Sequence, residues 1–170
     1  MLVRSLTAAG LAALLSACSS TGKTLAVSAH AIVVDDYSVD GAQDEELQGY
    51  GVEGHLLLLG PDLSLGYEQR EIGGEDVDEL FLGGRCFVID SPIVSPYLSA
   101  RLRYSDGFED SDSDSYSGWA AGVGAFVWFL GPTYIDLNVH YEDLFSDPDV
   151  GGSETGFDGI TGAIGLGLAF

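Results

Sequence analysis

Positive charge is nearly absent from this chain: six Lys and Arg residues stand against 27 Asp and Glu, a formal net charge of −21 over 170 residues. A surface of that sign repels phosphate backbones and anionic headgroups within a Debye length, which excludes nucleic acid as a partner. Cysteine is as scarce, with Cys18 and Cys86 alone, so whatever consumes one of them leaves the other without an intramolecular partner. A helical 3.6-residue period is missing after the first 17 residues, and the length corresponds to one domain. Acidity of this order suits a disordered chain, but hydrophobic residues make up 46% of the sequence and alternate regularly. The charge must therefore be segregated from the apolar surface.

What is present is clearest in the last dozen residues. Ile160, Gly162, Ile164, Leu166, Leu168 and Phe170 share one phase of a period-two pattern, and Thr161, Ala163, Gly165, Gly167 and Ala169 share the other. One face is apolar and the other is nearly bare. That combination suits a small closed barrel with lipid outside and crowded side chains inside. A C-terminal Phe ending such a strand resembles the terminal signature of bacterial outer-membrane β-barrel proteins.

At the other end, Arg4 precedes the apolar run Leu6 to Leu15. The run is a secretory signal, too short to span a membrane as a mature helix. It closes on Leu15-Ser16-Ala17-Cys18, which resembles the lipobox of bacterial lipoproteins. That resemblance implies a signal peptide over 1–17, diacylglycerol on Cys18, and a lipid-anchor linker over 18–23. Ser19 after the Cys implies sorting to the outer membrane, where acyl chains contribute roughly 0.8 kcal/mol per buried methylene. Ordinary cleavage near Ala17 is the alternative. Removal of 1–17 leaves five cations, and a lipidated Cys18 leaves Cys86 without an intramolecular partner.

Between the ends, eight strands are expected at about 24–35, 47–59, 62–71, 78–90, 94–105, 116–130, 132–143 and 156–170. Gly60-Pro61, Ser91-Pro92-Ile93 and Gly131-Pro132 make tight turns, whereas 36–46, 72–77, 106–115 and 144–155 are longer and polar. Short turns at one end and long loops at the other is the layout of a transmembrane β-barrel, which must close because no strand edge can face lipid. The expected fold is all-β: an eight-stranded antiparallel up-and-down transmembrane barrel over 24–170. An even strand number puts both termini on the periplasmic side. The stretches 35–46, 71–79, 106–114 and 142–158 hold 22 of the 27 acids, so the negative charge is expected outside the cell.

Apolar phases decide where the cations fall. With Val94, Pro96, Leu98, Ala100, Leu102 and Tyr104 outward, Arg101 and Arg103 point inward. With Leu63, Leu65 and Tyr67 outward, Glu68 and Arg70 point inward. The same rule turns Glu53 and His55 inward, and with them Asp136, Asn138, His140 and Glu142. An Arg on the lipid face costs roughly 2–4 kcal/mol near the midplane, and none of the four strand arginines is required there. Hairpin arithmetic around Gly60-Pro61 sets Glu53 nearly opposite Glu68, with Arg70 and Arg85 in diagonal reach. The interior is thus expected to be a charge network of Glu53, Glu68, Arg70, Arg85, Arg101, Arg103 and Asp136, filled and not a wide pore. In 78–90, Phe81, Phe87 and Ile89 share the phase of Arg85, so either Gly83-Gly84 carries a bulge or the interior is apolar there. Tyr50, Tyr104, Trp119 and Tyr141 are expected at the outer rim, and Phe129 and Phe170 at the inner one.

The leader, the eight-strand meander, the acidic loops and the run Ala163-Ile164-Gly165-Leu166-Gly167-Leu168-Ala169-Phe170 together resemble the OmpA/OmpX class of small outer-membrane barrels. That class implies a monomer among outer-membrane lipid and lipopolysaccharide, inserted by the barrel-assembly machinery, with no cofactor. The lipobox departs from the class.

Two chemical readings compete with a non-enzymatic surface barrel. Some small barrels modify lipid A with a His, a Ser and a carboxylate near the membrane rim. Here Ser28 and His30 share a face, as do His140 and Glu142, but every histidine falls on an inward phase, away from acyl chains. A soluble lipocalin-like lipoprotein would need polar residues outside and apolar ones inside, which the inward Arg and Glu residues oppose. Asp110, Asp112 and Asp114 are spaced like the start of an EF-hand loop, yet Ser115 stands where Gly is needed and Ala121 at position twelve is no bidentate Glu. Weak Ca²⁺ or Mg²⁺ binding is the most this triplet implies.

Overall fold

A strand exposes alternate residues to alternate faces, and burial follows that rule along the chain. On β2 (Gln48–Leu57), residues 51, 53, 55 and 57 are buried and their neighbours exposed. On β5 (Val94–Ser105), Ser95, Tyr97, Ser99, Arg101, Arg103 and Ser105 are buried. The computed structural model describes residues 24–39, 48–57, 61–72, 75–89, 91–105, 116–145, 149–150, 153–154 and 157–170. The remaining strands are β1 (Leu25–Val39), β3 (Asp62–Ile72), β4 (Glu75–Phe87), β6 (Tyr116–Leu130), β7 (Thr133–Leu144), β8 (Asp149–Val150), β9 (Ser153–Glu154) and β10 (Phe157–Ala169).

Eight of these close into one antiparallel barrel in the order β1-β10-β7-β6-β5-β4-β3-β2. Each strand pairs with its sequence neighbour in the barrel, and β1 closes on β10 from Ala26↔Ala169 to Val39↔Phe157. Backbone bonds from Thr24 to Phe170 (2.7 Å) and from Phe170 to Leu25 (2.7 Å) bring the two ends of the barrel sequence together. No edge among these eight strands is left unpaired, which is the condition for a sheet to lie in hydrocarbon. β8 and β9 form a separate two-stranded hairpin inside the connection expected as a plain loop.

The outward residues are apolar over a continuous band. Leu25, Val27, Val52, Leu65, Leu80, Leu82, Leu98, Leu102, Val123, Leu137, Val139 and Leu166 are all exposed, an arrangement that in water would be a severe aggregation hazard. The four arginines of the described strands are all buried. Rim aromatics sit at strand ends as expected: Tyr50, Tyr104 and Tyr141 towards one end, Phe129 and Phe170 towards the other. Gly131 sits in the two-residue turn between β6 and β7 at φ +58°, a left-handed backbone that suits Gly.

Two expectations change, and one open alternative is decided. The connection at 72–77 is not long: pairing continues to Ile72↔Glu75 and leaves only residues 73 and 74 between β3 and β4. Gly-Gly at that place permits a two-residue hairpin, so Asp76 and Asp78 lie in the wall. The fourth strand accordingly begins three residues earlier than expected. Register runs unbroken from Ile72↔Glu75 to Asp62↔Arg85 and from Glu79↔Ser105 to Phe87↔Tyr97, so Gly83-Gly84 holds no bulge and the interior is apolar beside Arg85. Finally, Cys86, on the outward phase of β4, is disulfide-bonded, against the expectation of a cysteine without an intramolecular partner.

Candidate functional site

The barrel interior is the only place where the described polar side chains converge in quantity, and three tiers fill it. At the end where Thr24 meets Phe170, Phe87, Tyr97, Phe126 and Tyr134 pack with Ala26, Leu57 and Ala169. Phe126 stacks on Tyr134 at 4.2 Å between ring centroids and meets Phe87 edge-on at 5.3 Å. Space for these rings comes from glycines on the opposing strands: the ring of Tyr134 lies over Gly167 and that of Tyr97 over Gly124, where a Cβ would collide.

The middle tier is charged. Arg85 donates to Glu53 at 2.6 Å and approaches Asp136 at 3.2 Å. The Tyr97 hydroxyl donates to the same Asp136 at 2.5 Å, and the Arg85 guanidinium lies 4.9 Å from the Tyr97 ring centroid. His55 pairs with Asp62 at 3.1 Å. The far tier holds Arg70, which bonds Glu68 and donates to Glu142 at 2.7 Å, and Arg103, which bonds Glu79 and Glu142. Thr161 donates to Glu142 at 2.8 Å, and His30 lies 2.8 Å from Glu68. Arg101 joins the tiers, 3.3 Å from Glu53 and 3.3 Å from Glu68.

All seven residues expected in the network are buried, and the ion pairs connect them. Glu53, however, pairs with Gly66, and Glu68 pairs with Gly51. The two carboxylates are therefore diagonal and joined through Arg101, a correction to the near-opposite placement. Three further acids belong to the network. Glu79 is fully buried on β4, Asp62 lies buried at the start of β3, and Glu142, on the inward phase of β7, pairs with Arg70 and Arg103. The signal for Glu79 was its phase: it alternates with the exposed Leu80 and Asp78. Six carboxylates thus face four guanidiniums among the described interior residues, and His30 and His55 add contacts to Glu68 and Asp62.

One constellation imitates catalytic machinery. Ser28 Oγ lies 3.4 Å from His55 Nε2, and His55 Nδ1 lies 3.1 Å from Asp62. Arg85 Nη1 also stands 3.0 Å from that Nδ1, and all three residues are buried in the packed barrel. The second Ser–His contact, Ser99 to His140 at 2.8 Å, is equally enclosed. No group of three or more His, Cys, Asp or Glu among the described residues is arranged to hold a metal ion. Asp110, Asp112 and Asp114 lie outside the described residues, as does Cys18.

The closed antiparallel wall, apolar without and ion-paired within, is the fold of the small eight-stranded outer-membrane barrels. The N-terminal β-barrel domain of Pseudomonas aeruginosa OprF superposes with a TM-score of 0.61 at 14% identity, covering 87% of this chain and 98% of that one. Neisserial surface protein A also gives 0.61, at 18% identity over 86% and 96% of the two chains. The outer membrane protein AlkL gives 0.52 at 10% identity over 87% and 90%. No protein-family profile matches the sequence, and no curated protein matches it.

Proposed function

We propose that this chain is a non-enzymatic surface barrel of a bacterial outer membrane, with both termini in the periplasm and its acidic loops outside the cell. The observation that carries this reading is the inversion of ordinary protein polarity: leucines and valines cover the wall while four arginines and six carboxylates fill the centre. Such a body is stable only when hydrocarbon surrounds it. Its role is envelope support or surface interaction, with the loops meeting divalent ions, cationic peptides or host surfaces, and Asp110, Asp112 and Asp114 contributing weak Ca²⁺ or Mg²⁺ affinity. Lipopolysaccharide and outer-membrane lipid surround a monomer that the barrel-assembly machinery inserts. Acylation of Cys18 would consume the sulfur that a disulfide with Cys86 needs, so the lipid-anchored protein is a species distinct from the disulfide-bonded one described above.

The test is fractionation of the expressed full chain. Residence in the detergent-extracted outer-membrane fraction, with heat-modifiable mobility on gels, is expected. A protein released by carbonate, or soluble without detergent, would overturn the proposal.

A further inference from the structure

The outer wall is not uniformly convex. A shallow, open groove of about 720 Å³ runs across the outer wall over β10, β1, β2 and β3, with Thr133 of β7 and Leu80 of β4 at its margins. Its cause is legible in the register. One cross-strand row reads Leu168, Val27, Gly54, Leu65, and the next reads Leu166, Ala29, Val52, Tyr67. Gly54 and Ala29 are the low points of adjacent rows and lie diagonally across the β1–β2 pair. Larger side chains stand on both sides, so the two small residues form the floor of a slanted channel with Leu166 and Leu168 as one bank and Leu65 and Tyr67 as the other.

We propose that this groove seats one acyl chain of a phospholipid from the periplasmic leaflet. The groove lies within the apolar band that faces hydrocarbon, so acyl chains are the medium that fills it. Its floor is near the end of the barrel where Thr24 meets Phe170: Ala29 is four residues into β1 from Leu25, and Gly54 is three residues from the end of β2. The choice of phospholipid over lipopolysaccharide rests on the orientation given under the proposed function, which puts that end in the inner leaflet. A chain lying in a channel touches protein on more sides than one lying on a convex wall, and gains dispersion contacts accordingly.

The test uses the full chain purified in detergent, with palmitoyl-oleoyl phosphatidylethanolamine as the probe and native mass spectrometry as the readout. Gly54→Leu fills the floor, and it is sterically mild, because a Cβ there meets only the Leu65 carbonyl oxygen at 3.9 Å. Ala121→Leu, outward on β6 and away from the groove, is the control. Wild type and Ala121→Leu are expected to retain one phospholipid under conditions that strip Gly54→Leu several-fold more completely. Equal retention by all three, or none by wild type, would overturn the proposal. Preferential retention of lipopolysaccharide would overturn the leaflet, and retention only in Cys18→Ala would assign the groove to the chain's own acyl group instead. Failure here is separable from failure of the parent reading: a Gly54→Leu protein that fractionates with the outer membrane yet keeps its lipid contradicts the groove alone.

Discussion

Arg85 on β4 reaches past β3 to set its Nη2 2.6 Å from Oε2 of Glu53 on β2. A bond that skips a strand crosses the barrel's interior space and does not follow its wall, so pairs of this kind act as struts. Arg101 and Glu68 make a second, from β5 to β3 at 3.3 Å, and Arg103 and Glu142 a third, from β5 to β7.

Removing one end of a strut leaves buried charge without compensation, at a typical cost of about 3–5 kcal/mol. Arg85→Ala and Arg101→Ala should therefore lower the thermal unfolding midpoint in detergent much more than Asp112→Ala. The last removes a charge from an acidic stretch where like charges repel, and it should leave the midpoint unchanged or slightly raised. Equal shifts for all three would contradict the buried network.

The aromatic tier predicts a steric asymmetry between glycines. Gly167→Val places its branch where the Tyr134 ring lies and should destabilise the barrel by about 1–3 kcal/mol, the usual range for overpacking. Gly54→Ala, facing outward with room to spare, should be nearly neutral. Urea or guanidinium unfolding of the two variants side by side distinguishes the positions.

A lumen occupied by aromatic rings and paired charges should pass little current. In planar bilayers the purified chain is expected to give no steady conductance of porin size. A stable porin-like step in wild type would show that the interior opens.

The two cysteines admit a direct measurement by intact mass. Lipidation predicts acyl additions that vanish in Cys18→Ala. A thioether at Cys18 and a disulfide joining the chain's two cysteines exclude each other, because both consume the same sulfur. An unacylated chain whose mass rises on reduction would therefore replace the lipid anchor with the disulfide.

The fold was legible because the lipid-facing phase is uniform: on β5, β7 and β10 every outward apolar residue agrees with its neighbours, and the inward position of Arg101, Asp136 and Thr161 follows by parity alone. β4 resisted that logic. Val77, Phe81 and Phe87 are buried inward beside Glu79 and Arg85, because a narrow barrel fills its centre with whatever side chains interdigitate, and apolarity on both faces hides the parity. The pairing partners were less legible than the facing. Diagonal contacts such as Arg101 to Glu53 and Glu68 depend on strand stagger around the closed sheet, which the sequence of one hairpin does not set. The two-residue connection at 73–74 was hidden by the acids Asp76 and Asp78, which look like loop residues but stand on the wall, where Tyr67 donates to Asp78 at 2.6 Å.

The central claim is that the apolar phase of each strand meets lipid and the opposite phase meets a packed interior. Single-tryptophan variants, with Trp119 and Trp128 replaced by Phe, test it most directly when reconstituted in vesicles containing chain-brominated phospholipid. Tryptophan at outward Leu102 should be strongly quenched by the brominated chains and untouched by aqueous iodide, whereas tryptophan at inward Phe87 should be shielded from both. Equal quenching at the two positions by the brominated chains, or quenching of the Leu102 variant by iodide, would contradict the account.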